Sequence, residues 1–187
     1  MKKKEKDPLF DWFKAGIIGF VLFLLIRAFF FSSYEVDGKS MQPTLQDGNK
    51  LVVNKIGYQM KDIQRFDVIV FHANSKEDYV KRVIGLPGDT IAYKNDQLYI
   101  KGVRYAEPYL QRFKHPFPGQ LLTGDFTLKD VTDTNTVPKG KLFVMGDNRL
   151  ESMDSRHFGY ISYKQVVGKV DMRYWPIREF NVNFKGN

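Results

Sequence analysis

Hydrophobic positions are distributed along the chain in two unlike ways. Between residues 15 and 31 every position except Arg27 is apolar or glycine, whereas beyond Ser32 the apolar residues come in short runs broken by Gly, Asn, Asp and Pro. The first pattern predicts one long helix. Counted from Trp12 to Phe31 it has 20 residues, about 30 Å of helix, which matches the hydrocarbon core of a bilayer. The second pattern predicts strands. KLVVNK (50–55), FDVIVF (66–71), YVKRVI (79–84), TIAY (90–93), QLYI (97–100), KLFVM (141–145) and VVGKVDMRYW (166–175) are rich in branched and aromatic residues. YKNDQLYIKG adds a hairpin, with Asn95 and Asp96 suited to a tight turn. No sustained helical period, internal repeat or low-complexity tract follows the first segment. Residues 104–139, richer in Pro, Thr, Gly and Asp, read as an inserted loop or small extension on the core.

The flanks of the apolar segment orient it. Residues 1–14, MKKKEKDPLFDWFK, carry five lysines against three acids, which predicts a cytoplasmic N-terminus, a span over 15–31 and an extracytoplasmic domain over 32–187. Arg27 can snorkel to one interface, with Trp12 and Lys14 at the other. A cleavable secretory signal is the alternative, because residues 15–26 alone have the length of its apolar region. The following AFFFSSY places bulky phenylalanines where a cleavage site needs small residues, which favours an uncleaved anchor.

Composition narrows the classes. A chain of 187 residues, 43% hydrophobic and 27% charged, is neither disordered nor wholly membrane-embedded. The net charge of +8 raises nucleic acid as a partner, but the basic residues are scattered among 21 acidic ones. No RNA-binding signature occurs, so a basic exterior near anionic lipid is the reading adopted and no nucleic-acid partner is expected. The absence of cysteine excludes disulfides, thiolate metal sites and a cysteine nucleophile. His72, His115 and His157 lack metal-ligand spacing, and no metal or cofactor is expected.

Strand alternation singles out one lysine. In YVKRVI, Tyr79, Lys81 and Val83 share one face and Val80, Arg82 and Ile84 the other, so Lys81 is bracketed by apolar neighbours. A lysine held there loses solvation and can act as a base near neutral pH. Ser40 stands in DGKSMQPTLQDG (37–48), nine residues beyond Phe31. Its hydroxyl becomes a nucleophile only if a neighbour takes its proton. Were Ser40 and Lys81 to meet, they would form a Ser-Lys dyad. Taken singly, Ser40 reads better as a turn hydroxyl, and Lys81 as a strand lysine whose stem packs while its head reaches water. Asp154 near His157 leaves a Ser-His-Asp arrangement open, although no GxSxG elbow occurs. GLPGD (85–89) lacks the phosphate-loop ending and reads as a rigid turn.

Three motifs together carry a resemblance. SMQPT from Ser40, YVKRVIGLPGD from Tyr79 and GDNRLESMDSR from Gly146 resemble, in order and spacing, the catalytic boxes of type I signal peptidases, particularly the single-span form of Gram-positive bacteria. The resemblance runs from the apolar segment to about residue 175. It implies a mainly β fold: an antiparallel β-sheet catalytic core with a small inserted extension, preceded by one N-terminal transmembrane α-helix. It also implies a membrane-bound serine endopeptidase that removes signal peptides from secreted preproteins, cutting after a small residue at an Ala-x-Ala site without a cofactor. Partners would be exported preproteins, the lipid bilayer and the secretion translocon. Ser40 matches the nucleophile and Lys81 the general base. Ser152 matches a serine that hydrogen-bonds and orients the lysine ammonium. Asp154 and Arg156 match a structural pair, while Asp147, Arg149 and Arg82 take supporting parts.

Two positions depart from the pattern. Gly38 stands where some members carry a serine that helps hold the oxyanion, which leaves the Ser40 backbone N–H as one donor and the second open. Phe66-Asp67 stands where Gly-Asp is common. Phe29, Phe30, Met41, Tyr174 and Trp175 are candidates for an apolar surface leaning on lipid, with core packing as their other fate. Two further classes are kept in view: a catalytically silent anchored β-domain that binds exported chains, and a self-cleaving repressor-type protease. The latter carries a helical DNA-binding domain where this chain has its apolar segment.

Overall fold

The computed structural model describes residues 8–55, 63–111, 119 and 121–184. Helix α1 (Pro8–Phe30) opens on proline, whose missing N–H is no loss in a first turn. Its side chains described from 12 to 24 are all exposed. Among the described residues no helix is long and apolar enough to cross a membrane. The span read from sequence, 15–31, extends past the positions whose side chains are described.

The rest is mainly antiparallel β-structure. Strands β1 (Phe31–Glu35), β2 (Lys50–Asn54), β3 (Val68–His72), β4 (Asp78–Gly85), β9 (Lys141–Met145), β10 (Ile161–Ser162) and β11 (Val166–Trp175) form one sheet. Its order is β1-β2-β11-β3-β4-β9-β10. A smaller sheet, order β7-β6-β5-β8, holds β5 (Ile91–Lys94), β6 (Gln97–Ile100), β7 (Val103–Tyr105) and β8 (Phe126–Thr127).

Side-chain alternation explains why β3 is central. Val68 and Val70 point into one apolar cluster with Leu45, Leu51 and Val53, while Ile69 and Phe71 point into another with Val83 and Val144. A third cluster joins the two sheets, Ile84 and Phe143 of the larger packing on Ile91, Leu98 and Ile100 of the smaller. Strand β4, which carries the second motif, and β9, which leads into the third, are thus clamped by core on both faces.

Several expectations are refined. The run read as a strand over 66–71 enters β3 only at Val68, because Arg65 and Phe66, the latter with a positive φ of 68°, form a turn closed by the Asp67 N–H on the Gln64 carbonyl. Asn95 and Asp96 both have positive φ and join β5 to β6, as the hairpin signal predicts. The 104–139 extension is no bare loop: its described part continues β7, supplies β8 and adds a one-turn helix, Leu128–Val131. GLPGD is a tied turn in which Asp89 accepts the Leu86 N–H and pairs with Arg65 and Lys101. Met41, a candidate for the lipid-facing surface, is 1% exposed and sits in the core instead. Tyr174 is half-buried and Trp175 exposed. The side chains of Phe29 and Phe30 lie outside the described residues.

Candidate active site

The turn that carries Ser40 links β1 to β2. Backbone bonds between Val36 and Asn49 and between Gly48 and Val36 close it at its base. Met41 and Leu45 bury inward, each anchoring it by about 1.5–3 kcal/mol of apolar transfer. Gly38, at φ 94°, donates its N–H to Asp47 Oδ1 at 2.7 Å. That backbone favours glycine, so a side-chain donor at this position would carry strain. Ser40 itself stays half-buried at the surface.

Strand β4 brings Lys81 to it. The lysine is 4% exposed, and its Nζ donates to Ser40 Oγ at 2.7 Å and lies 5.2 Å from the Tyr79 ring centroid. Burial pushes the amine down to about 8, against the opposing pull of Asp154 and Asp147. No carboxylate lies within ion-pair distance of Lys81 among the described residues. An amine so placed gives up its own proton near neutral pH and can then take that of the hydroxyl. Around the two groups runs an open cleft of about 310 Å³, lined among others by Tyr34, Gly38, Met41 and Tyr79.

The remaining candidates surround this contact. On the opposite face of β4, Arg82 forms a two-pronged pair with Asp147, Nε to Oδ1 at 2.8 Å and Nη2 to Oδ2 at 2.6 Å, both side chains fully buried. Thr44, four residues past Ser40, donates to Asp147 Oδ2 at 2.5 Å. Asn148 donates its N–H to the Ser40 carbonyl at 3.0 Å and its side-chain amide to the Lys39 carbonyl at 3.2 Å. Gly146 has no room for a side chain, since a Cβ there would collide with the Ser40 carbonyl and the Ser152 hydroxyl. Asp154 receives two bonds from the Arg156 guanidinium, both 2.9 Å, and one from the Gly146 N–H at 3.0 Å. Burial works against its charge, but these donors hold the carboxyl below its ordinary value.

Two expected contacts are not formed. Among the described residues the buried Ser152 hydroxyl has no hydrogen-bond partner, so the bond to Lys81 implied by the resemblance is absent here. Asp154 spends its carboxylate on Arg156 and Gly146 while His157 is exposed, which removes the geometry of a Ser-His-Asp arrangement. His72 pairs with Asp78 at the surface, and His115 lies outside the described residues. Among the described residues no group of three or more His, Asp or Glu could hold a metal.

Three residues escaped the sequence reading. Thr44 and Asn148 lie inside quoted motifs, and their positions there were the available signal. Glu107 had none: it sits in the aperiodic extension, 42 residues from Arg149, with which it pairs in the interior.

Residues 9–175 match the family described as Signal peptidase, peptidase S26. The chain is 55% identical over 183 residues to the signal peptidase I of Bacillus caldolyticus, covering 98% of each. It is 52% identical over 159 residues to the signal peptidase I V of Bacillus subtilis (strain 168), covering 85% of this chain and 95% of that one. A crystal structure of a signal peptidase I from Enterococcus faecalis V583 superposes with a TM-score of 0.57 at 43% identity, covering 60% of this chain and 99% of that one.

Proposed function

The chain belongs to the signal peptidase family, peptidase S26, and is a hydrolase of the signal peptidase I type; on that premise we propose that it cuts signal peptides from secreted preproteins with Ser40 as nucleophile and Lys81 as general base. The observation that carries this reading is the 2.7 Å contact between Ser40 Oγ and a buried lysine amine that no carboxylate pairs.

Ser40 Oγ attacks the scissile carbonyl while Lys81 Nζ, in its neutral form, accepts the hydroxyl proton. The tetrahedral oxyanion is met by the Ser40 N–H. Collapse expels the mature chain, whose new amino group takes the proton from Lys81. Water then enters, Lys81 removes its proton, the hydroxide attacks the acyl carbon, and Ser40 Oγ takes the proton back from Lys81 as the bond to it breaks and the signal peptide leaves. A small residue before the cut, in the Ala-x-Ala manner, suits the shallow cleft beside Met41.

The same reading makes residues 15–31 a single membrane span, with the basic N-terminus cytoplasmic and residues from 32 onward outside. Exposed apolar side chains over 12–24 support it, as does the direct passage of α1 into β1, which keeps Ser40 near the bilayer. Tyr174 and exposed Trp175 remain candidates for leaning on lipid. Preproteins, delivered at the translocon, are the partners.

The test is cleavage of a synthetic preprotein with an Ala-x-Ala site by the full chain in lipid vesicles, products weighed by mass spectrometry. One cut after the second alanine, abolished by Ser40→Ala and by Lys81→Ala, is the expected result. Cleavage surviving Ser40→Ala sinks the mechanism, and binding without cutting favours the silent scaffold.

A further inference from the structure

The 146–149 turn holds the nucleophile turn from behind, and something must hold the 146–149 turn. Within it, Arg149 Nε donates to the Gly146 carbonyl at 3.1 Å and the Arg149 N–H to the Asp147 carbonyl at 3.0 Å, while the Arg149 carbonyl accepts from Arg156 at 2.7 Å. The far end of the Arg149 guanidinium reaches into the extension. There it pairs with Glu107 Oε1, and it donates to the Tyr93 hydroxyl and Thr123 Oγ1, each at 2.9 Å. Tyr93 and Tyr109 both donate to the same Glu107 oxygen, at 2.8 and 2.7 Å. Burial pushes both phenols well up, so they remain donors at any working pH. The Tyr109 ring also lies 3.8 Å below the Arg82 guanidinium. One buried carboxylate of the extension therefore stands at the centre of a network that reaches both the strand of Lys81 and the turn behind Ser40.

We propose that Glu107 is a positioning residue for the nucleophile: through Arg149 it fixes the 146–149 turn, whose Asn148 grips the carbonyls of Lys39 and Ser40, and so holds the Ser40 hydroxyl at the Lys81 amine. The inference rests on Ser40 and Lys81 acting as nucleophile and base. It gives the extension a part in catalysis without any contact to substrate. Because Glu107 is buried and does not line the cleft beside Ser40, its loss acts on turnover rather than on binding.

The experiment compares wild type, Glu107→Gln and Glu107→Ala as full chains in phosphatidylglycerol-phosphatidylethanolamine vesicles. Two rates are read per folded molecule: preprotein cleavage, resolved into kcat and KM, and acylation of Ser40 by a short activated ester ending in Ala-x-Ala, followed by intact mass. Glutamine keeps an acceptor oxygen for the three donors to Oε1, loses the charge and puts an amide NH2 where Oε2 stands. It is expected to lower kcat about tenfold and alanine about a hundredfold, with KM within about twofold and acylation slowed by the same factor. If alanine fails to fold, glutamine decides. Unchanged kcat and acylation in the folded variants, or a loss carried by KM, overturns the proposal. A wild type that acylates from the ester but leaves the preprotein intact refutes the signal-peptide reading alone, and the acylation rates still judge Glu107. A wild type that does neither overturns both.

Discussion

On β4 two neighbouring cations point to opposite faces of the sheet and meet different company. Arg82 lies wholly buried against the Asp147 carboxylate, with the backbone carbonyls of Phe66 and Phe184 both accepting from its remaining nitrogen, Nη1. Lys81, one residue earlier, has a hydroxyl, an aromatic ring and a cleft. Stripping water from a charge is costly on both sides of the strand. For Arg82 the partner offsets the cost and the charge is permanent. For Lys81 the pull of Asp154 and Asp147 offsets only part of the cost, and the charge itself becomes labile. The same strand thus provides one cation that fixes structure and one group that moves a proton. Which is which depends on where the carboxylates are.

The sharpest way to break that comparison is to remove each group in turn. Ser40→Ala and Lys81→Ala are expected to cut turnover by about ten-thousandfold or more while leaving the domain folded, as a preprotein cleavage assay will read. A Lys81→Ala enzyme with a tenth of wild-type activity would end the distinction. Next in size is Asp147→Ala, which leaves Arg82 buried and unpaired. It should destabilise the fold by about 3–5 kcal/mol, seen as a lower urea midpoint.

Lys81→Met should do the opposite. With the folded amine lowered to about 8 from 10.5, the unfolded chain binds the proton more tightly, so the lysine costs stability. That cost is fully present below about pH 8 and vanishes as pH rises through 10.5. The methionine variant is therefore expected to be more stable by about 1–3 kcal/mol at neutral pH, after the lost hydrogen bond is counted, and the gain should fade in alkali. Smallest is His72→Ala, at an exposed pair with Asp78. It should shift stability by less than about 1 kcal/mol and leave turnover unchanged, which checks that histidine takes no part.

Period-two runs of branched and aromatic residues made β2, β4, β5, β6, β9 and β11 legible, because alternate positions are sorted between two core clusters in β4 and β9 and between core and surface in β2, β5 and β6. Strands β7, β8 and β10 span two or three residues, too few for any period to show. Strand β1 was hidden differently: Phe31 closes the apolar run, and FSSYE has no apolar alternation. The Ser40 and Lys81 positions could be picked out by local setting, yet nothing local says that residues 41 apart end 2.7 Å apart. Glu107 was wholly illegible, since its meaning comes from Arg149 and Tyr93, brought to it from other segments beside its near neighbour Tyr109. Met41 was misjudged because a methionine beside a surface serine gives no hint that its turn folds inward.

The central claim is that an unpaired, buried lysine amine serves Ser40 near neutral pH. Its most direct test is kcat/KM for preprotein cleavage measured from about pH 6 to about pH 10 in vesicles. The account predicts that activity climbs about tenfold per pH unit and levels off near the Lys81 value of about 8. A limb at the ordinary lysine value of 10.5, a limb near the histidine value of about 6.5, or a flat profile would contradict it.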